Sequence, residues 1–201
     1  MINVHAITRL HETTVRRWHQ SDIDNAYEGF LGLVCRQHQQ NYRLWHQEDI
    51  ARSLEVADAE LAQVKRNIDR LNQQRNDLIE QLDDSLIGRL ASVGVVPLPE
   101  ARLNSETPGS VIDRLSILAL RIYHMEEESR RADAGEAHQA RAKAKLETLH
   151  EQHADLSTSL SEQIDDIFSG RRRLKVYRQF KMYNDPTMNP YLYCAQGKPA
   201  A

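Results

Sequence analysis

Between His38 and Arg52 the chain gathers His38, Asn41, Tyr42, Trp45, His46, Glu48, Asp49 and Arg52, a mixture richer than solubility requires. On a helix, Tyr42, His46 and Asp49 fall on one stripe, and Asn41, Trp45, Glu48 and Arg52 on its neighbour. An imidazole held by a carboxylate could act as a base or a ligand, and an arginine beside it could hold an anion. The plainer reading is a helix laced with its own ion pairs around a core tryptophan.

A second group runs Asp113, Arg114, Ser116, Arg121, Tyr123, His124, Glu126, Glu127 and Glu128. His124 and Glu127 stand three apart, as do His46 and Asp49. Two helices offering imidazole plus carboxylate at that spacing resemble the carboxylate metal sites of four-helix bundles, with the order of the two groups reversed. Those sites also need a Glu from each of two further helices, and none is evident. No metal and no cofactor are therefore expected. His150 and His153 repeat the spacing, but His153 falls on an apolar seam, where a packed histidine is commoner.

A third segment, Arg171 to Lys181, carries six cations and no acid, interleaved with Tyr177 and Phe180. Such a run could hold phosphate or nucleic acid. Cations after a helix C-terminus, with the aromatics packed inward, explain it more simply, so no nucleic acid is expected. P-loop, GxGxxG, GxSxG, HExxH and CxxC signatures are absent.

At these residues the chain resembles a family. Asn41-Tyr42-Arg43-Leu44-Trp45-His46-Gln47-Glu48-Asp49, Asp113-Arg114-Leu115-Ser116-Ile117-Leu118 with His124-Met125-Glu126-Glu127, and Arg178-Gln179-Phe180-Lys181-Met182-Tyr183-Asn184-Asp185-Pro186 are similar to three blocks of a bacterial domain of unknown function. The similarity covers roughly Thr14 to Tyr193. It implies a bacterial helical protein in a cell-envelope polysaccharide context, and it supplies no activity.

The elements that must position these groups are helices. Leu54, Ala57, Leu61, Val64, Ile68, Leu71, Arg75, Leu78 and Leu82 follow a 3-4-3-4 spacing with one polar interruption at Arg75. A helix is predicted from near Asp24, with a bend or break before Ser53. Pro97, Pro99, Pro108, Gly94 and Gly109 mark the main connection, after which Ser110 reads as an N-cap with Asp113 three residues on. Leu115, Leu118, Ile122 and Met125 continue at helical spacing, and Asp133 to Gly135 suggest a turn. Leu146, Leu149, His153, Leu156, Leu160, Gln163 and Ile167 form another seam. The two long seams are expected to pair as an antiparallel hairpin. The tail over 183–193 reads as turns too aromatic to be disordered, so docking on the bundle is expected.

Two cysteines, Cys35 and Cys194, give no disulfide framework and suit a reducing compartment. The first fourteen residues lack an apolar leader, and no run reaches the ~18 apolar residues of a membrane span. A net charge of −3 argues against whole-molecule attraction to nucleic acid or anionic membrane. Charged residues at 27% suit long helices with solvated outer faces.

The expectation is one all-α, cytoplasmic domain over 1–201, a helical bundle with a long antiparallel coiled-coil hairpin whose arms span about 54–90 and 140–169. It is expected to be a homodimer. Asn41, His46, Glu48, Asp49, Arg52, Asp113, His124, Lys181, Asn184 and Asp185 are expected to line one pocket for a small anionic ligand. The function is a helical binding or assembly module; the alternative is an enzyme using His46 and Asp49 on a small anionic or phosphorylated substrate.

Overall fold

The first buried face is set by Val4, Ile7, Leu10, His11, Thr14, Val15 and Trp18, a stripe at 3-4 spacing that forms helix α1, Val4–Trp18. The Asn3 side chain caps it by accepting from the Ala6 N–H at 3.0 Å. This helix is not among those expected from sequence. The structure, a computed structural model, describes residues 2–178, 182 and 185–194. It is an all-α bundle.

Helix α2, Gly29–Ala51, starts later than the expected Asp24. Gly29 opens it at φ +56°, a region glycine enters without strain. At Gly32 the Tyr27 carbonyl oxygen comes so close that an added Cβ would lie 2.6 Å from it. The expected break falls at Arg52, and helix α3, Asp58–Ser92, begins only after a turn. Leu54 is therefore fully exposed in that turn and Ala57 is the residue before the helix, so neither belongs to the seam. Helix α4, Pro108–Arg130, is capped by Thr107, whose hydroxyl accepts from the Ser110 N–H. The proline at the first helical position suits that start, so Ser110 lies inside the helix and is not its cap. A 3-10 turn at Ala132–Ala134 and Gly135 at φ +75° lead into α5, Glu136–Phe168. A parallel pair of two-residue strands, β1 Arg102–Leu103 and β2 Arg172–Arg173, ties the connection after α3 to the segment after α5. Helix α6, Pro190–Cys194, ends the described chain.

The long helices pair differently from expectation. α3 lies along α2, and α5 lies along α4, instead of α3 against α5. The cause is the short turns at 52–57 and 131–135, which force sequence neighbours into antiparallel contact. Val64, Ile68 and Leu71 of α3 close on Leu44 of α2. The main core joins Ile7 and Leu10 of α1, Val34 of α2, Ile112 and Leu115 of α4, and Leu160 and Ile164 of α5. Each such side chain contributes roughly 1.5–3 kcal/mol by leaving water. α3 approaches α4 closely where Gly109 donates its N–H to Asp83 Oδ1 at 2.8 Å. Burial pushes that Asp83 carboxyl up from its usual value.

Three of the cations after α5 pair with the bundle's own acids. Arg171 and Arg172 pair with Asp166, and Arg178 pairs with Glu80 and Asp84. In the described part of the tail Tyr191 is 88% exposed. Of the aromatics expected to pack over 183–193, Tyr191 is exposed, Tyr193 is half-buried, and Tyr183 lies outside the described residues. No described helix is long and apolar enough to cross a membrane.

Candidate functional site

The polar groups of α1, α2 and α4 stack into two connected layers. The lower layer is a buried hydrogen-bond network centred on Asp113 of α4. Arg75 of α3 reaches it twice, with Nε 2.7 Å from Oδ1 and Nη2 2.5 Å from Oδ2. Gln37 and Asn41 of α2 donate to the same Oδ1 at 2.6 and 2.9 Å. Asn41 also donates to Ser116 Oγ at 2.8 Å, and Ser116 meets His38 Nδ1 at 2.7 Å. This is the answer to Arg75 within an apolar seam: its guanidinium is buried toward a carboxylate in the same chain.

The upper layer is a run of rings. His11 and His38 lie 4.7 Å apart between α1 and α2, and Trp18 stacks on His38 at 5.1 Å. Tyr42 meets Trp18 edge-on and donates its hydroxyl to the Trp18 carbonyl at 2.8 Å. His19, just past α1, stacks on Tyr123 at 4.1 Å and lies 5.3 Å from His46 and 5.0 Å from His124. The run ends where His124 stacks on Trp45 at 4.7 Å with the rings 7° from parallel.

The inner end of this layer, His11, Trp18, His38 and Tyr42, is buried, the outer rings are half-buried, and burial costs several of the imidazoles basicity. Burial lowers His38 to about 3. Burial, then the neighbouring His38 and His153, holds His11 well below the ordinary histidine value. His46 and His124 are lowered too, chiefly by burial; Asp49 and Glu127 push back weakly. The rings of His11, His38, His46 and His124 are therefore neutral near pH 7. Several ring nitrogens of the layer are buried without a hydrogen-bond partner: both of His11, and Nε2 of His19, His38, His46 and His124. Among the described residues, no three His, Cys, Asp or Glu groups are placed to hold a metal ion.

Above Arg75 a cleft of about 340 Å³ opens between α2, α3 and α4. Asn41, Glu48, Asp49 and Arg52 line it, four of the residues expected from sequence, and Trp45 forms a wall. Arg75, Asn72 and Arg121 complete its polar lining. Arg52 is held by Glu48 at 2.8 Å, and Arg75 by Asp113. Arg121 forms no hydrogen bond or ion pair among the described residues. His46 is placed in the ring layer and Asp113 beneath Arg75, so neither lines the cleft. His124 lies on the far side of Trp45. Asp185 is engaged by its own turn, accepting from the Thr187 N–H at 2.7 Å. Lys181 and Asn184 lie outside the described residues.

The described ones among the expected residues thus divide between the cleft, the layers behind it and, for Asp185, the tail, and the cleft holds four of them. Arg75, Asn72, Trp18, His11 and His19 belong to the assembly and were not singled out from sequence as site residues. Arg75 had a signal, a cation at a seam position, which calls for a buried acid as well as for a partner copy. His11 had one as well, an imidazole on the apolar stripe of α1.

No curated protein and no solved structure matches the chain. A family model described as "Protein of unknown function (DUF4254)" matches residues 31–176. That span takes in nearly all of α2, the whole of α3, α4 and α5, and with them the cleft and most of both polar layers. The chain belongs to the DUF4254 family.

Proposed function

We propose that the protein is a helical binding module whose α2–α3–α4 cleft takes a small anionic ligand. One observation carries the reading: Arg121 is the uncommitted cation in a cleft whose other guanidiniums are already paired. Asn72 offers further hydrogen bonds, and Trp45 offers a flat face whose position is braced by the His124 ring behind it. A rigid guanidinium beside an aromatic wall suits an anion with a planar or apolar body. His46 does not line the cleft, which favours binding over acid–base chemistry there.

Isothermal titration with phenyl phosphate and with inorganic phosphate tests this. Phenyl phosphate should bind saturably, and Arg121→Ala should weaken it about tenfold, the worth of one charge-assisted hydrogen bond. Heat that stays linear with concentration for both probes would remove the reading.

The same module self-associates in this reading. Ile50, Leu54 and Leu61 leave apolar surface around the turn between α2 and α3, and a partner copy would cover it. Light scattering at micromolar concentration should give twice the chain mass of 23.2 kDa, and Leu54→Asp should return it to that of one chain. A wild-type mass of a single chain would end the dimer. Two free thiols, one of them Cys35 buried and pushed up to about 11, suit the cytoplasmic location this reading assumes.

A further inference from the structure

Behind Trp45 lies a second cavity. It runs between α4 and α5, holds about 470 Å³, and takes Trp45, Met125 and Leu149 as apolar walls. Two cations line it, Arg121 and Lys145, and neither has a partner among the described residues. The acid in its lining, Glu128, is already engaged by Arg131 at 2.9 Å and His138 at 2.7 Å. Its charge toward a ligand is thus cationic while its walls are apolar. Arg121 and Trp45 belong to the lining of the cleft as well, so the two cavities meet at those side chains.

A site that is apolar along its length and cationic at two points is complementary to an anion with a hydrocarbon chain. We propose that this groove holds the chain of a free, single-chain amphiphile whose anionic head lies on Arg121 and Lys145. The inference rests on the reading of the cleft as an anion site and adds the class of its ligand. A volume of this size suits a small molecule, and the pair of uncommitted cations selects an anion over a neutral or cationic chain.

Titration of the full chain with butyl and octyl phosphate, both kept below their micelle concentrations, tests the inference. Each buried methylene should tighten binding roughly fourfold, so octyl phosphate should bind at least about tenfold more tightly than butyl phosphate even if only part of the chain is buried. Leu149→Gln should weaken octyl phosphate more than butyl phosphate and so abolish most of that difference. Lys145→Gln should weaken both probes and leave the chain-length ratio intact. Leu149 and Lys145 lie at the surface of α5, so circular dichroism of both variants should match wild type. Equal affinity for the two phosphates, with Arg121→Ala still weakening both, would overturn the amphiphile and leave the small-anion reading standing. Octanol binding as tightly as octyl phosphate, with Arg121→Ala without effect, would overturn both. Sedimentation with phosphatidylglycerol vesicles by a protein that ignores dispersed octyl phosphate would overturn the free amphiphile in favour of a membrane surface.

Discussion

Unfolding free energy measured in urea should fall by about 2 kcal/mol between pH 6.5 and 4.5 from His38 alone, at ~1.4 kcal/mol per proton and pH unit. The folded chain holds His38 neutral down to about 3 and keeps His11 neutral well below the ordinary value. The unfolded chain takes up both protons as pH drops below the ordinary histidine value, about 6.5. The unfolded state therefore binds more protons throughout this window, and stability rises with pH. His46, His124 and His153 are lowered as well and act in the same direction. Asp83, whose carboxyl is raised, opposes them, one group against several. Asp24 and Asp166 are lowered below a range this window reaches, so they add their own loss only at more acid pH. A domain is typically stable by about 5–15 kcal/mol, so cooperative acid unfolding is expected above pH 4. His38→Gln should reduce the slope of stability against pH by about one proton. A stability profile flat between pH 6.5 and 4.5 would show that these rings titrate as freely as in water.

The second large effect belongs to Asp113. Its two oxygens receive Arg75, Gln37 and Asn41 in a network with no exposed member nearer than the Arg75 side chain. Asp113→Ala leaves a guanidinium and two amides without their acceptor, in a site that water reaches poorly. The expected loss is about 3–5 kcal/mol, the cost of breaking a buried pair from one side. Replacing both partners, as Arg75→Met with Asp113→Leu, should recover most of it, since the pair's own attraction is largely cancelled by its desolvation. Urea titration of the single and double variants provides the comparison. A loss under ~1 kcal/mol for Asp113→Ala would mean that the network is decorative.

Much of the fold was legible because punctuation residues mark its boundaries. Pro97, Pro99, Pro108 and Gly109 locate the connection between α3 and α4, and Asp133 to Gly135 locate the turn before α5. Pairing was not legible. Heptad spacing says that Val64, Ile68 and Leu71 need an apolar partner, and it says nothing about which partner. Turn length decides that, and Leu54 sat in phase with the seam by spacing alone. The cleft was partly legible because Asn41, Glu48, Asp49 and Arg52 lie on adjoining stripes of one helix. Its floor was not, because Arg75 and Arg121 come from different helices and sequence spacing does not say which helices meet. His46 was misplaced for a local reason: a residue next to Trp45 points roughly 100° away from it on a helix, toward the ring layer and away from the cleft.

The pairing of each long helix with its sequence neighbour also bears on how the chain reaches this structure. Two hairpins closed by short turns need little loop entropy, so α2 with α3 and α4 with α5 should form early and fast. The contacts between α1 and α4, such as Arg16 to Glu126 across 110 residues, span much longer stretches of chain and must come later. An order of events follows: hairpins first, then their docking around α1, with the imidazoles losing their water only in that last step. Docking should accordingly be the acid-sensitive part of folding, slowed below pH 6 while hairpin formation keeps its rate.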